Sequence, residues 1–216
     1  MNIIIIGPPG SGKGTQGDTI SKNFKLFKIS TGELLREEIN KKSSLGNQIK
    51  TIIDKGLLVS DDIINNLIEI IISNKNYSNR LIFDGYPRNL NQAQKLDDLI
   101  NKYNQKISCV ISLKVEEKTV IKRILGRQIC LKCGLTFNEF FKPSTEENHN
   151  CEIKFLQKRS DDNQETLKMR FETYNKETMP ILKHYQNQRL LREIDGVGDI
   201  HEIYSKIQQI IQSLET

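Results

Sequence analysis

The chain has 216 residues, of which 37% are hydrophobic and 27% charged, and its formal net charge is +5. This composition is typical of a globular protein, and no apolar run approaches the roughly 18 residues that a membrane-spanning helix needs. The basic residues are spread along the chain, so the net charge suits small anionic ligands as well as nucleic acid and does not choose between them.

The first predicted element is a strand at residues 2–6, where four isoleucines stand in a row before Gly7 and Pro8. A short β-branched run of this kind is typical of a strand that is buried on both faces of a parallel sheet. Because Gly7 and Pro8 cut the run short, the N-terminus lacks the long apolar stretch of a secretory signal, and we expect a cytoplasmic protein.

Strands and helices alternate along most of the chain. The further predicted strands are 27–30, 80–84, 108–114 and 190–195, and the predicted helices are 13–24, 31–41, 45–55, 60–74, 89–103, 116–126, 161–178 and 199–214. This alternation predicts an α/β fold with a five-stranded parallel sheet flanked by helices, in which ligands bind beyond the carboxyl ends of the strands. Two segments interrupt this alternation: a helical one at 31–59, and one at 128–160 that we predict to be irregular. We interpret both as lobes that emerge from one core.

A glycine-rich stretch, GPPGSGKGT at residues 7–15, follows the first strand directly. It fits the phosphate-loop pattern G-x-x-x-x-G-K-[ST], except that Gly14 stands between Lys13 and Thr15. Such a loop turns backbone N–H groups toward phosphate oxygens, and its lysine supplies a cation to the β- and γ-phosphates. The stretch therefore predicts a nucleoside triphosphate site made by Gly10, Ser11, Gly12, Lys13, Gly14 and Thr15.

The G-K-G-T ending of this loop is similar to that of the nucleoside monophosphate kinases, and further stretches extend the similarity over nearly the whole chain. They are ISTGELLR (29–36), GLLVSD (56–61), FDGYPRNLNQA (83–93), RILGR (123–127) and RSDDNQETLKMR (159–170). Together they resemble the adenylate kinase family, of the type with a long lid. The resemblance implies a P-loop NTPase-like fold with a core at 1–29, 60–126 and 161–216, an inserted helical AMP-binding lobe at 30–59 and an inserted lid at 127–160.

The same resemblance implies an enzyme that reversibly transfers the terminal phosphoryl group of Mg-ATP to AMP and gives two ADP. It implies a monomer whose partners are these nucleotides, without nucleic acid or membrane. The catalytic residues that it implies are Lys13, Asp84, Arg88, Arg123, Arg127, Arg159 and Arg170, with Asp84 holding the Mg²⁺ shell through water. Six of the nine arginines, these five and Arg36, fall on the matching stretches of a chain that has 23 lysines, which indicates a need for the planar guanidinium.

The two nucleotide sites are also implied residue by residue. On the ATP side the resemblance adds Arg127, Thr136, Phe137 and Gly198 to the phosphate loop. On the AMP side it gives Thr31, Arg36, Leu57, Leu58, Val59, Gly85, Tyr86, Pro87, Arg88, Gln92, Arg159 and Arg170. Taken singly, Thr31 could instead cap the helix that begins there, and Gln92 could be a solvated helix residue.

Two other functions use the same phosphate loop. A kinase for UMP or CMP is opposed by Thr31, where related pyrimidine kinases tend to carry Ala, and by the long lid, which they usually shorten. A nucleotide-dependent switch or nucleic-acid-binding ATPase would need an exposed basic patch or effector loops, and it leaves the stretch DGYPR and Gln92 unexplained.

The segment 128–160 contains three of the four cysteines, and Cys130 and Cys133 have the spacing of half a zinc site. In lids of the resembled family a second ligand pair often follows some 17 residues later. The candidates here are His149 and Cys151, with Glu152 as a substitute. A structural zinc site and a lid held by hydrogen bonds and packing alone both stay open, whereas Cys109 is interpreted as a small core residue.

Overall fold

The computed structural model describes residues 1–214, so the last two residues of the predicted core lie outside the described residues. In chain order the strands are β1 (Asn2–Ile6), β2 (Phe27–Ser30), β3 (Leu81–Asp84), β4 (Ile107–Lys114), β5 (Arg127–Cys130), β6 (Thr136–Asn138), β7 (Leu156–Gln157) and β8 (Leu191–Asp195). The helices are α1 (Lys13–Phe24), α2 (Thr31–Asn40), α3 (Ser44–Asp54), α4 (Asp61–Ile72), α5 (Leu90–Lys102), α6 (Glu117–Leu125), α7 (Gln164–Thr173), α8 (Met179–Asn187) and α9 (Ile200–Gln212).

Five of the strands form one parallel sheet in the order β2-β3-β1-β4-β8, which confirms the predicted fold class. Side chains of the central strand β1 alternate between two apolar layers. Ile4 and Ile6 pack in the cluster that contains residues of α4, α5 and α8, whereas Ile3 and Ile5 pack in the cluster that contains residues of α1 and α9. Helices therefore cover both faces, as the continuous apolar run of β1 predicts.

The prediction that residues 128–160 are irregular is wrong, because β5, β6 and β7 form a small antiparallel sheet in the order β6-β5-β7. These strands have only four, three and two residues. Strands of that length contain too few residues to produce a recognisable alternation of apolar and polar side chains.

The predicted helix 161–178 is correct in type and wrong in both bounds. Asn163 caps the start of α7 by accepting a hydrogen bond from the backbone N–H of Thr166, so the helix begins three residues later. At its other end the helical backbone runs through a π-helical turn, Tyr174–Thr178, into α8, which ends at Asn187. Pro180, which has no N–H to donate, is the second residue of α8 and lies directly after this π-helical turn, where the helical hydrogen-bond pattern changes.

A hydrogen bond joins the two segments that interrupt the alternation. Asp54, at the end of α3, accepts a hydrogen bond at its Oδ1 from Ser160 Oγ at 3.0 Å, just after the small sheet. Its backbone carbonyl accepts a second bond from Thr166 Oγ1 at 3.0 Å. None of the helices within residues 1–214 combines the length and the apolar sequence that crossing a membrane requires.

Candidate active site

The phosphate loop joins the carboxyl end of β1 to the first residue of α1. Gly10 and Gly12 have φ angles of +75° and +94°, which favour glycine. A Cβ at position 10 would lie 2.7 Å from a side-chain carbon of Ile124, so α6 also excludes any larger residue there. Lys13 Nζ donates to the carbonyls of Gly7 at 2.6 Å and Pro8 at 2.9 Å, which holds its ammonium group over the loop.

A cavity of about 340 Å³ opens above this loop. Its walls include Lys13 and all six arginines of the matching stretches, namely Arg36, Arg88, Arg123, Arg127, Arg159 and Arg170. Each of these six is half-buried, whereas Arg80, Arg189 and Arg192 are exposed. The sequence positions that resemble a known site are thus the positions where the fold concentrates its guanidinium groups.

Three carboxylates offset part of this positive charge. Asp84 ends β3 beside the loop and lines the cavity, and a Cβ at position 14 would lie 3.5 Å from its Oδ2. Arg127 donates to both oxygens of Asp162, with Nε at 2.7 Å from Oδ2. Arg170 donates to Asp161 Oδ2 at 2.8 Å. Asp161 and Asp162 are buried, so they fix the direction of these two arginines.

Burial lowers the pKa values of several of these cations, among them Lys13, Arg88 and Arg159. Burial, followed by the repulsion of Arg88, Arg170 and Arg127, lowers the pKa of Lys13 to about 7, although Asp84 acts in the opposite direction. Burial and the neighbouring Arg127 likewise lower the pKa of Arg159 to about 9, and its Nε is buried without a partner within residues 1–214. Burial raises the pKa of Asp84. Burial and mutual repulsion make the charged forms of these side chains unfavourable, so a polyanionic ligand in the cavity would stabilise them.

The carbonyl of Gly85 organises one side of the cavity. It accepts hydrogen bonds from Thr31 Oγ1 and from Arg88 Nε, both at 2.8 Å. The Arg88 backbone N–H donates to Gln92 Oε1 at 2.8 Å, and Gln92 Nε2 donates to Asp61 Oδ1 at 2.7 Å. The interpretation of Thr31 as a cap is wrong, since Ser30 caps α2, and Gln92 is buried in this network and not solvated.

A second cavity of about 80 Å³ adjoins the first on this side. Lys13, Gly85, Arg88 and Arg170 line both cavities, and Leu58 and Pro87 line the second alone. Tyr86 and Val59 lie in the apolar core beside it, whereas Leu57 is exposed.

The opposite end of the large cavity is made by β6 and the loop before α9. Thr136, Phe137 and Gly198 line it, together with Asn138 and Phe141. Phe137 is only 2% exposed, with its ring packed on His149, whereas Phe141 is 45% exposed. Arg123 Cζ lies 5.6 Å from the centroid of the Phe141 ring. Phe141 thus presents the aromatic face at this end.

The small sheet brings Cys130, Cys133, His149 and Cys151 together, with one ligand atom of each within 4.8 Å of the others. Four tetrahedral zinc ligands are about 3.5 Å apart, so this cluster needs only a small adjustment to bind the ion. His149 Nδ1 lies 2.8 Å from Ser144 Oγ, while its Nε2 is buried and has no hydrogen-bond partner in the described chain. Burial acts to raise the pKa of Cys130, but a hydrogen bond from the Cys133 backbone and the proximity of the His149 imidazole outweigh it and lower the pKa to about 6. The donor set fits zinc.

The residues of this site that sequence reasoning missed include Asp161, Asp162, Asn138 and Phe141. The two aspartates are visible in the quoted stretch RSDDNQETLKMR, directly after Arg159, and the adjacent like charges could have indicated partners for arginines. Nothing in the sequence distinguishes Phe141 from Phe140 or Phe137, because only the fold of the small sheet decides which ring faces the cavity.

Comparisons with known proteins agree with this geometry. A family sequence model described as adenylate kinase matches residues 5–190. The adenylate kinase of Pelagibacter ubique is 45% identical over 212 residues, which cover 98% of this chain and all of the relative. The adenylate kinase of Archaeoglobus fulgidus is 35% identical over the full length of both chains, and that of Caldanaerobacter subterraneus is 36% identical over 98% of this chain and 96% of its own.

Proposed function

Because this chain belongs to the adenylate kinase family, we propose that its large cavity is where the terminal phosphoryl group of Mg-ATP passes to AMP, giving two ADP. The observation that carries this assignment is the ring of seven cations around one cavity, directly above the phosphate loop. Phosphoryl transfer spreads negative charge over three equatorial oxygens, and fixed cations stabilise that charge without reorganisation. The acceptor is an ionised phosphate oxygen, so no general base is needed.

On the donor side, the loop from Gly10 to Thr15 binds the phosphates of ATP, and Lys13 neutralises the β- and γ-phosphates. Asp84 lies where a carboxylate can hold the Mg²⁺ shell through water. Arg123 and Arg127 lie over the nucleotide, and the end of the cavity with Thr136, Phe137 and Gly198 receives the base. The pKa of Lys13 is lowered to about 7 before the ligand binds, and contact with the phosphates restores its full positive charge.

On the acceptor side, Arg36 and Arg88 bind the phosphate of AMP with their planar guanidinium groups. Arg159 and Arg170 face the transferred group, and the buried Nε of Arg159, which has no partner among residues 1–214, supports that role. The remaining acceptor-site residues are Thr31, Leu57, Leu58, Val59, Gly85, Tyr86, Pro87 and Gln92. The shared carbonyl of Gly85 supports this grouping, since it joins Thr31 to Arg88.

The segments 30–59 and 127–160 act as the AMP-binding lobe and the lid. A site that moves a phosphoryl group to AMP could also move it to water, so closure of both lobes over the nucleotides excludes solvent. The hydrogen bond between Ser160 and Asp54 supports such closure, because each lobe contributes one partner.

The deciding experiment mixes the protein with Mg-ATP and each nucleoside monophosphate in turn and measures the diphosphate formed. We expect AMP to be the preferred acceptor. Preference for UMP or CMP contradicts the assignment of the acceptor, and ATP hydrolysis that is independent of any acceptor favours a nucleotide switch.

Zinc bound by Cys130, Cys133, His149 and Cys151 is the proposed structural cofactor. The buried Nε2 of His149, left without a partner in the described chain, supports it over packing alone. The ion would supply rigidity to the lid and no chemistry of the reaction. Metal analysis of the purified protein should give about one equivalent of zinc; less than a tenth of an equivalent, with a thermal midpoint that chelator does not move, rejects the site.

The enzyme is proposed to act as a cytoplasmic monomer. All seven cations of the cavity come from one chain, so a second copy is not needed to complete the site. Light scattering should give a mass close to the 24.9 kDa of a single chain, and a concentration-independent mass of twice that value contradicts the monomer.

A further inference from the structure

The five-residue turn 138–142, which follows β6, determines where Phe141 points. The backbone N–H of Asn138 donates to the carbonyl of Lys142 at 2.8 Å, and the Lys142 N–H donates back to Asn138 at 3.1 Å. Inside the turn, Asn138 Oδ1 accepts hydrogen bonds from the backbone N–H groups of Phe140 at 3.0 Å and Phe141 at 3.2 Å. One amide oxygen therefore fixes the backbone from which the Phe141 ring extends.

The same amide fastens the turn to the end of α6. Asn138 Nδ2 donates to the carbonyl of Arg123 at 2.6 Å, and the Glu139 N–H donates to the carbonyl of Gly126 at 2.8 Å. A Cβ at position 126 would lie 2.6 Å from the Phe140 ring and 3.0 Å from Asn138 Oδ1, so the turn packs directly on the backbone of Gly126. The turn and α6 consequently meet without a gap.

The side chain of Asn138 thus holds the backbones of both Arg123 and Phe141. Asn138 bonds the carbonyl of Arg123 through its nitrogen and the N–H of Phe141 through its oxygen. The Arg123 guanidinium, which also reaches toward the phosphate loop at Ser11, lies 5.6 Å from the Phe141 ring at the base end of the cavity. A guanidinium group and a phenyl ring are both planar, and each can stack on a flat purine ring.

We propose that Asn138 is a positioning residue for the base of ATP, acting through Phe141 and Arg123. The inference rests on the proposed function, in which this end of the cavity receives the base. Asn138 does not itself read the base, because its oxygen already accepts two hydrogen bonds and its nitrogen donates to Arg123. Its loss releases the turn and disorders the aromatic wall, while the phosphate loop on β1 and α1 is untouched.

The test compares two ligands that share the triphosphate group, of which only one contains the base. Dissociation constants of Mg-ATP and of magnesium tripolyphosphate, which has the phosphates but no base, are measured by calorimetry for the wild type and Asn138→Ala. We expect the constant for Mg-ATP to rise about tenfold, because the three hydrogen bonds of the Asn138 side chain are lost together, and that for tripolyphosphate to change less than about twofold. Gln128→Ala removes an exposed hydrogen bond to Glu139 on the same small sheet and should change neither constant.

Two further variants make the outcome decisive. Asn138→Asp keeps both accepted hydrogen bonds, loses the donor to Arg123 and should weaken Mg-ATP selectively; it replaces the alanine variant if that fails to fold. In a Phe141→Ala background, Asn138→Ala should weaken Mg-ATP binding less than it does in the wild type, because only its contact with Arg123 is then left to lose. Unchanged Mg-ATP affinity in the soluble variants, or equal weakening of both ligands, overturns the proposal. A wild type that binds Mg-ATP no better than tripolyphosphate instead overturns the assignment of the base end itself.

Discussion

The rings of Phe137 and His149 lie 4.7 Å apart, centroid to centroid, so a proposed zinc ligand packs directly on the wall of the nucleotide cavity. His149 is buried, and so is Phe137. A change in the position of the imidazole therefore acts first on the base end of the donor site, whereas the network around the Gly85 carbonyl on the acceptor side has no contact with it in the described chain.

Removing zinc, by chelation or by His149→Ala, should lower the thermal midpoint and raise KM for ATP several-fold, with KM for AMP nearly unchanged. Steady-state assays in which each substrate is varied in turn measure the two KM values separately. His201→Ala, on the exposed side of α9, is the matched control and should change neither constant. Equal increases in both KM values would show that the metal supports the whole fold and not the donor site.

Binding of Mg-ATP should take up a proton at Lys13. The pKa of about 7 in the empty cavity leaves this side chain mostly neutral at pH 8, and contact with phosphate restores its charge. We expect uptake of about one proton per Mg-ATP at pH 8 and about a tenth of that at pH 6. Calorimetry in two buffers of different ionisation enthalpy measures the number. Lys13→Met should abolish the uptake, and a wild type that binds without it contradicts the assigned role.

The same variant should lose transfer without losing stability. Lys13→Met removes a cation from the developing charge, so kcat should fall by at least about a hundredfold. A lowered pKa means that protonation of Lys13 opposes folding of the empty protein as pH falls from the ordinary lysine value toward 7. Replacing the ammonium group removes that penalty, so the thermal midpoint at pH 7 should not decrease. Near-normal turnover in the soluble variant would refute the role.

Arg88→Ala should act on the acceptor. The guanidinium that donates to Gly85 is expected to bind the phosphate of AMP, so its loss should raise KM for AMP and lower kcat, together by several kcal/mol in transition-state free energy. Binding of Mg-ATP alone should stay within a factor of about three. Arg192→Ala, on the exposed side of β8, provides the control. Unchanged kcat/KM for AMP in soluble Arg88→Ala would contradict the assignment.

Asp162→Asn should reduce kcat by at least about tenfold although Asp162 does not line the cavity. Its buried carboxylate accepts two hydrogen bonds from Arg127, and an amide can accept at only one of these positions. Arg127 would lose its fixed direction while keeping its charge. Rate measurements against Asp98→Asn, an exposed substitution on α5, test this, and a rate within twofold of wild type would count against it.

The core of the fold and the phosphate loop could be predicted from the sequence because their patterns are local. The isoleucine run of β1 and the glycines of the loop can each be interpreted from a stretch of about ten residues. The small sheet could not be predicted, since Cys130 and Leu156 pair across the lid from strands too short to show a period. The pairing of Arg127 with Asp162 and of Arg170 with Asp161 also depends on where α7 begins. The cap at Asn163 places that start later than the polar composition suggested.

The hydrogen bond from Ser160 to Asp54 has a thermodynamic consequence. In the proposed function the AMP-binding lobe and the lid both close, so a contact shared by them contributes a coupling free energy between the ligands that bind under each. Linkage is reciprocal, so ATP must raise the affinity for AMP by the same factor as AMP raises the affinity for ATP. Because this hydrogen bond is exposed to solvent, the cooperativity that it contributes is limited to about one order of magnitude.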